Sequence, residues 1–251
     1  MAWTEAGAYT PGHTANAVTF MAQRRAATHA AFFLPQLKAG MRLLDCGCGP
    51  GTITLDLARR VAPATVIGMD RSDVQFASAR ATAAREGLAV TFETGDIERL
   101  PFPDASFDAA FAHALFEHIS DPARAAAEIR RVLKPGGCLG LRSPDWGGFL
   151  LYPFPPEVER AIAAYRALMT DNKGDVLAGR KLPSFLRRAG FARVVPSASY
   201  EIYRDPARIA EYLAVQLDNR DAAAAASLRA WHRDAEAFFA QAWVEAIGWT
   251  T

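Results

Sequence analysis

The chain has 251 residues, of which 51% are hydrophobic and 22% charged, a balance typical of a folded protein with a substantial core. This composition excludes extensive disorder, and the length favours one enlarged α/β domain over two unrelated domains. Lys and Arg number 28 and Asp and Glu 27, so the net charge of +1 gives no overall field that would recruit nucleic acid or an anionic membrane.

The sequence lacks the signals of a membrane or secreted protein. No apolar segment approaches the roughly 18 to 20 residues that span a bilayer, and the first residues do not resemble a secretion signal. We therefore expect a cytoplasmic protein. The three cysteines (Cys46, Cys48 and Cys138) are an odd number without a matching Cys or His pair. This argues against a disulfide framework and predicts no metal site.

An alanine-rich arm over residues 1–40 comes first in the predicted organisation. The spacing of Ala22, His29 and Phe33 predicts helix within residues 15–34, outside the sheet. Such an arm either closes over a ligand or only packs against the rest of the fold.

Residues 41–143 form the predicted core, because short apolar runs alternate there with amphipathic stretches. The predicted strands are residues 41–46, 64–69, 89–93, 107–112 and 138–141. The predicted helices run over residues 52–61, from a cap at Ser72 to Gly87, and from Asp121-Pro122 to the turn Pro135-Gly136-Gly137. The fold class is therefore α/β, with a doubly wound, mostly parallel sheet.

The rest of the chain is less regular. We predict a capping insertion over residues 144–181, because its first part is rich in aromatics, Gly and Pro and its second part has helical spacing. Residues 182–251 are predicted to add further helices and strand material to the same single domain. The predicted elements are a helix at 182–189, strand material within 191–203, a helix opened by Asp205 and a last helix from Asp221 through Phe238 to Ala242.

A glycine cluster follows the first predicted strand and carries the sequence GCGPGT at residues 47–52. In the GxGxxG pattern of dinucleotide-binding folds a third glycine stands where this chain has Thr52. Asp45 just before the loop is an awkward neighbour for a pyrophosphate and a natural one for a cationic group. The loop therefore favours a nucleoside that carries an amino acid over NAD.

Three acids stand at the ends of three consecutive predicted strands: Asp45, Asp70 and Asp96. The ends of those strands meet at one edge of the sheet, where ligands of doubly wound folds bind. Asp70 is spaced to accept both hydroxyls of a ribose. Asp96 can accept from an adenine amine while Ile97 covers the ring.

Four sequence strings, together with Asp70, resemble the class I S-adenosylmethionine-dependent methyltransferases in order and spacing. The strings are LLDCGCGPGTITLDLA (43–58), GDIERLPF (95–102), FDAAFAHALFEHI (107–119) and RVLKPGG (131–137). The most similar branch contains the ubiquinone/menaquinone C-methyltransferases and their small-molecule relatives. The resemblance implies a Rossmann-like methyltransferase fold, S-adenosylmethionine as cofactor and S-adenosylhomocysteine as product.

The resemblance also implies roles for individual residues. The loop backbone would approach the methionine part of the cofactor, Asp45 its ammonium group and Asp70 its ribose. His113 would lie where the fourth strand passes the methionine moiety. The full set of predicted cofactor-binding residues is Asp45, Gly47, Cys48, Gly49, Gly51, Asp70, Arg71, Asp96, Ile97 and His113.

The catalytic residues are not identified by the sequence. The candidates are His113, His118, Asp145, His13 and Tyr9. Asp145 and Trp146 follow the fifth predicted strand, where an acceptor would enter, and Tyr9 and His13 could fold over the same space from the arm. Trp243 belongs to a C-terminal aromatic stripe that we assign to the core or to a subunit interface.

The leading hypothesis is methyl transfer to a small, largely apolar acceptor, with the attacked O, N or C atom undetermined and a homodimer included among the partners. A second hypothesis keeps the cofactor but changes the outcome, to cyclisation or elimination of S-adenosylmethionine. A third is a non-catalytic relative of the fold that acts as a binding subunit. A nicotinamide oxidoreductase is least favoured, because of Thr52 and Asp45.

Overall fold

Seven strands form one mixed sheet in the computed structural model, which describes residues 9–12 and 14–251. The strands are β1 (Leu43–Cys46), β2 (Val66–Asp70), β3 (Val90–Thr94), β4 (Phe107–His113), β5 (Leu133–Tyr152), β6 (Arg193–Ile202) and β7 (Phe238–Trp249). Their order across the sheet is β3-β2-β1-β4-β5-β7-β6. Strands β1 to β5 are parallel, and β7 runs antiparallel to both β5 and β6. The predicted doubly wound, mostly parallel sheet is confirmed.

Helices flank the sheet in the described part of the chain. They are α1 (Ala15–Met21), α2 (Ala26–His29), α3 (Thr52–Val61), α4 (Phe76–Glu86), α5 (Pro122–Val132), α6 (Pro156–Asp171), α7 (Ala178–Arg188), α8 (Pro206–Leu217) and α9 (Ala222–Trp231). Asp121, Asp205 and Asp221 cap α5, α8 and α9, each accepting a hydrogen bond from a backbone N–H of the first turn. These three predicted helix starts are confirmed.

Three large hydrophobic clusters hold the layers together. Successive residues of β1 point to opposite faces, so Leu44 packs in the cluster shared with α5 and α7 and Leu43 in the cluster shared with α2 and α3. A further cluster joins α1, α6, α8 and α9 around Trp146 and Phe239. The last cluster creates a compartment beside β5 and β7, outside the parallel half of the sheet.

The last predicted helix is wrong in its second half. Helix α9 ends at Trp231, and Phe238 and Ala242 belong to strand β7. The spacing of apolar residues matched a helical period, but Phe239, Gln241 and Trp243 are buried at the strand period of two. Hydrogen bonding to two neighbouring strands decides between the two periods.

Strand β5 is much longer than the predicted residues 138–141. It continues through the first part of the predicted capping insertion to Tyr152, paired with β7 on both sides of an irregularity between Asp145 and Leu150. The Gly- and Pro-rich composition that suggested a loop instead accompanies a bent strand. The predicted capping helix is present as α6.

Two smaller expectations concern the arm and the start of α4. The helical character predicted for residues 15–34 is present as two short helices, α1 and α2, followed by a short 3₁₀ helix at Leu34–Gln36. Ser72 does not cap α4, which begins at Phe76. The Ser72 backbone N–H donates instead to the Asp70 carboxylate (3.3 Å), so the chain after β2 forms a loop before α4.

Within the described ranges, every helix is too short or too polar to cross a lipid bilayer.

Candidate active site

The glycine loop between β1 and α3 is a tight turn closed by backbone hydrogen bonds. Gly47 and Cys48 donate their N–H groups to the Met69 carbonyl at 2.7 and 3.0 Å. Gly47, Gly49 and Gly51 all have positive φ, at 69°, 50° and 74°. A Cβ at Gly47 would also lie 2.8 Å from the Leu115 side chain. The loop therefore needs glycine both for its backbone conformation and for its packing.

Asp70 at the end of β2 organises this loop. One carboxylate oxygen accepts the Gly49 N–H at 2.8 Å and the other accepts the Ser72 N–H at 3.3 Å. Each oxygen keeps further acceptor capacity, because a carboxylate has about four lone-pair sites. The same group can therefore hold the loop and accept hydroxyl groups of a ligand.

Asp45 is a buried acid at the end of β1. Its side chain accepts the Thr54 hydroxyl at 2.6 Å, and the residue is only 3% exposed. Burial raises the pKa of Asp45 to about 7, an effect that the Thr54 hydrogen bond opposes and the nearby Asp70 charge increases. None of the ion pairs found among the described residues includes Asp45. A cationic ligand group would supply the missing partner.

These residues line one cavity, which we call the glycine-loop pocket. It brings together eight of the predicted cofactor-binding residues: Asp45, Gly47, Cys48, Gly49, Asp70, Arg71, Ile97 and His113. The donor set fits S-adenosylmethionine, because an unpaired buried acid, a ribose-type acceptor and an apolar cover lie around a glycine cradle. Arg24 and Met21 of the arm also line this pocket.

Two predicted cofactor-binding residues lie outside the lining of the glycine-loop pocket. A Cβ at Gly51 would lie 2.7 Å from the Phe92 ring, so this glycine serves the packing of α3. Asp96 accepts the Glu98 N–H at 2.9 Å and lies 3.7 Å from an Arg71 guanidinium nitrogen. The loop after β3 thus turns the Asp96 carboxylate onto its own backbone, while Ile97 reaches the pocket.

A second cavity, the aromatic pocket, adjoins the first. It is lined mainly by large rings and thioethers, with a few polar groups: Tyr9, Pro11, Phe20, Met21, Arg24, Ala114, Glu117, His118, Pro144, Trp146, Tyr165, Met169, Tyr203, Ile209, Tyr212, Gln241 and Trp243. Tyr9, Met21, Arg24, Ala114 and His118 line both pockets. The two cavities therefore share a wall, and groups bound in each can meet there.

Glu117 and His118 contribute the titratable groups of the aromatic pocket. Glu117 is 3% exposed, and burial raises its pKa to about 7, although a hydrogen bond from the Ser143 hydroxyl (2.8 Å) acts in the opposite direction. Burial lowers the pKa of His118 to about 4, with the Arg24 charge adding to the effect. At neutral pH His118 is thus uncharged, and burial brings the pKa of Glu117 close to neutrality.

The catalytic candidates are distributed unequally over this site. His118 and Tyr9 line both pockets, and their rings meet edge to face at 5.0 Å. His113 lines the glycine-loop pocket and contacts Arg142 at 3.0 Å. Burial lowers the pKa of His113 well below its usual value. His13 lies outside the described residues.

Asp145 is not on the lining of either pocket, in contrast to the expectation that it meets the acceptor. Its two oxygens accept from the Arg180 guanidinium, both at 2.7 Å, and the Gly147 N–H donates to it at 2.9 Å. This pairing with Arg180 on α7 is a structural one. Its neighbour Trp146 does line the aromatic pocket, as predicted.

Four residues that line the pockets were not predicted as site residues from the sequence: Arg24, Glu117, Gln241 and Trp243. Glu117 was detectable, because it stands beside His118 at the end of a string that carried the family resemblance. Trp243 is buried, as expected for a core residue, and it also lines the aromatic pocket, which the sequence did not indicate. Gln241 and Trp243 could be recognised only with β7 in place, since their side chains share a face by strand alternation.

The sheet order and the glycine-loop pocket define a methyltransferase domain, and a family model with that description matches residues 44–141. The chain is 36% identical over 196 residues to "Probable methyltransferase ltbC" of Aspergillus luteorubrus, covering 73% of this chain and 68% of that protein. The chain belongs to the class I S-adenosylmethionine-dependent methyltransferases.

Two further similarities add detail. An uncharacterized 37.1 kDa protein in transposon TN4556 of Streptomyces fradiae is 40% identical over 200 residues, covering 77% of this chain. The chain spans only 55% of that relative's length. The crystal structure of the [4+2]-cyclase SpnF has a TM-score of 0.57 and 28% identity, and the match covers 99% of this chain and 86% of SpnF. One fold thus extends over both pockets.

Proposed function

We propose that the protein transfers a methyl group from S-adenosylmethionine to a small, largely apolar acceptor bound in the aromatic pocket. The observation that carries this proposal is the wall of five residues that the aromatic pocket shares with the glycine-loop pocket. Rings and thioethers favour an apolar acceptor, because desolvating such surfaces is favourable and few polar groups there need partners. The cytoplasmic location and the homodimer stay predictions from the sequence.

Bound S-adenosylmethionine supplies a methyl group that its sulfonium already activates. For its binding, we assign the ammonium to Asp45, the ribose hydroxyls to Asp70 and the adenine surroundings to Ile97. We assign the carboxylate to Arg24, which lines the glycine-loop pocket and takes part in none of the ion pairs found in the described chain. These assignments use opposite charges in a partly buried site, where they are least screened.

The protein's own contribution is then positioning, exclusion of water and removal of a proton. Phe20 of α1 stacks on Tyr212 at 4.2 Å and on Tyr203 at 5.9 Å, so the arm forms part of the wall of the aromatic pocket. His29 of α2 meets Glu201 of β6 at 3.3 Å and ties the arm to the sheet edge. Holding two reactants in one closed chamber supplies a large part of the acceleration in such reactions.

Glu117 is the group that we assign to accept a proton from the acceptor. A general base works best with a pKa near the working pH, and burial gives Glu117 a pKa of about 7. The carboxylate is the active form, so the rate should rise as the pH rises through about 7. In Glu117→Gln this rise should disappear, whereas Glu211→Gln, a partly exposed control outside both pockets, should keep it. A wild-type rate independent of pH in this range would contradict the assignment.

Calorimetric titration with S-adenosylmethionine, S-adenosylhomocysteine and NAD tests the cofactor. We expect saturable binding of the first two and none of NAD. Acceptor candidates are then screened with a labelled methyl group, and formation of S-adenosylhomocysteine together with a labelled product supports transfer. Methylthioadenosine as the product would indicate elimination or cyclisation of the cofactor. A folded protein that binds neither cofactor form would favour the binding-subunit hypothesis.

A second candidate function is cyclisation of a substrate, favoured by the 28% identity to the [4+2]-cyclase SpnF over nearly the whole chain. In that case the aromatic pocket would fold an unsaturated chain and the glycine-loop pocket would serve stability. Analysis of the reaction products distinguishes methyl transfer from cyclisation. A product that is an isomer of the substrate, formed without S-adenosylhomocysteine, would establish the cyclase.

A further inference from the structure

Strand β7 presents two buried polar side chains to the aromatic pocket. Gln241 and Trp243 are two residues apart and therefore lie on the same face of the strand. They are 3% and 4% exposed, and both line the pocket. Within the described chain, neither the Gln241 Oε1 atom nor the Trp243 Nε1 atom has a hydrogen-bond partner. One of these atoms is an acceptor and the other a donor.

The Gln241 amide is fixed in this orientation. Its Nε2 group donates to the Asp145 carbonyl at 3.1 Å and to the Ala242 carbonyl at 3.0 Å. A flipped amide would direct oxygen at two carbonyl oxygens, so Oε1 is the atom left without a partner. The Gln241 side chain cannot rotate to give Oε1 a hydrogen-bond donor without losing the two hydrogen bonds that Nε2 donates.

The Trp243 ring is also held in place. The Arg142 guanidinium lies 4.2 Å from its centroid and the His113 ring 4.8 Å away. Arg142 is itself buried and pairs with Glu245. Because its neighbours fix the ring plane, the indole N–H keeps its direction while no acceptor is bound.

Buried polar atoms without partners are rare, because each loses its hydrogen bonds to water on folding. A single group that both donates and accepts can serve as partner to two such atoms of opposite type on one strand face. A hydroxyl group does both, whereas a methyl group does neither and an ether oxygen only accepts. The remaining lining of rings and thioethers, including Trp146, Met169 and Tyr212, suits the apolar body of such a molecule.

We propose that Gln241 and Trp243 form a recognition pair for a hydroxyl group on an apolar ring compound, which defines the chemical class of the acceptor. The hydroxyl donates to Gln241 Oε1 and accepts from Trp243 Nε1. This inference rests on the proposed function, in which the aromatic pocket takes the acceptor. It assigns specificity to two side chains of β7 that take no part in holding the cofactor.

The test compares three probes of nearly equal shape: 2-naphthol, 2-methoxynaphthalene and 2-methylnaphthalene. Their affinities are measured by calorimetry on the full chain saturated with S-adenosylhomocysteine, which occupies the glycine-loop pocket and prevents turnover. We expect 2-naphthol to bind about tenfold more tightly than 2-methylnaphthalene, as one to two net hydrogen bonds imply, with 2-methoxynaphthalene between them. Equal affinities for 2-naphthol and 2-methylnaphthalene, or no binding of any probe, would overturn the proposal.

Variants then assign the two hydrogen bonds separately. Trp243→Phe should abolish the preference for 2-methoxynaphthalene over 2-methylnaphthalene, because the donor is lost. Gln241→Met should lower the affinity for 2-naphthol to that for 2-methoxynaphthalene. Trp249→Phe, on the same strand but outside the pocket, should change none of these ratios. Unchanged ratios in both pocket variants would overturn the assignment to this pair.

The wild-type probe series decides the question even if a variant fails to fold. A preliminary titration with S-adenosylhomocysteine keeps the two proposals apart. If that titration shows no binding, the proposed methyl transfer fails, and the probe series is run on the protein alone. Hydroxyl selectivity that persists there would still support the recognition pair as a site for a cyclase substrate.

Discussion

The two pockets are built by two different kinds of sheet. The glycine-loop pocket lies where the parallel strands β1, β2 and β4 end, and Asp45, Asp70 and His113 belong to the last residues of those strands. The aromatic pocket is walled by the antiparallel pair β5 and β7, by helices of the second half and by the arm. Pro11 and Gln216, whose side-chain amide donates to the Pro11 carbonyl at 3.3 Å, illustrate how far apart in sequence its surroundings are. The main residues of the glycine-loop pocket are therefore evident from local sequence patterns. Those of the aromatic pocket are brought together only by strand pairing and helix packing between distant parts of the chain.

The largest expected loss of stability is for a substitution in the antiparallel part of the sheet, at Glu245. Glu245 of β7 accepts from Arg142 at 3.4 Å, from Ser197 at 2.8 Å and from Ser199 at 2.6 Å, and both charged groups are buried. Glu245→Ala should lower the free energy of unfolding by about 3 to 5 kcal/mol, because it leaves the Arg142 charge buried with a weaker partner. Denaturant unfolding measures this.

The matched control for Glu245→Ala is Glu211→Ala. Glu211 pairs with Arg229 at the protein surface at 2.8 Å, where an ion pair contributes about 1 kcal/mol or less. Equal losses in the two variants would show that the network around Glu245 does not hold the antiparallel strands together.

On the parallel side the largest effect is expected at the glycine loop. Gly51→Ala combines a left-handed backbone (φ 74°) with a Cβ that would lie 2.7 Å from Phe92 and 2.8 Å from Ala79. We expect a loss of about 2 to 4 kcal/mol in the free energy of unfolding, from strain and overpacking together. Gly87→Ala, with φ 63° and no atom within 4 Å, should lose only about 1 kcal/mol. A similar loss in both would exclude the packing contribution.

Asp70→Ala should weaken binding of S-adenosylmethionine by about 1 to 3 kcal/mol, which is roughly 5-fold to 150-fold in Kd. The variant removes both the proposed ribose acceptor and the hydrogen bond to the Gly49 N–H. Asp73→Ala serves as the control, because Asp73 is exposed and outside the pocket. Calorimetry that gives the wild-type affinity for Asp70→Ala would remove Asp70 from the binding site.

The smallest expected effect is a pH dependence of cofactor affinity. With a pKa of about 7, Asp45 is mostly protonated below that pH in the free protein, and a bound ammonium group favours its ionised form. Affinity for S-adenosylhomocysteine should therefore fall as the pH drops below about 7, by at most about tenfold per pH unit. Asp45→Asn should bind more weakly at pH 8 and show a flatter profile. A steeper profile in that variant would contradict the assignment.

The difference between the two pockets also explains which site residues could be predicted from the sequence. Asp45, Asp70 and Ile97, which line the glycine-loop pocket, were predicted because each lies at or just after the end of a strand whose apolar run is evident. Asp96 lies after its strand equally well, yet its carboxylate accepts the Glu98 N–H and Asp96 is not on the pocket lining, a detail that strand order does not contain. Trp243 is buried as predicted, but its place on a pocket was missed, because the apolar spacing before it suggested a helix and only pairing with β5 and β6 defines β7 as a strand.

Strand β5 belongs to both halves of the molecule. Over residues 138–142 it pairs in parallel with β4, and over most of its length it pairs antiparallel with β7. The ladder to β4 therefore ends before Pro144 and Trp146, the two residues of β5 on the aromatic pocket. An enzyme engineer could recombine residues 143–152 together with 193–249 from a relative as a single cassette. Such a chimera would exchange the sheet wall of the aromatic pocket, while the arm and α6 kept theirs and the register of the cofactor-binding strands stayed unaltered.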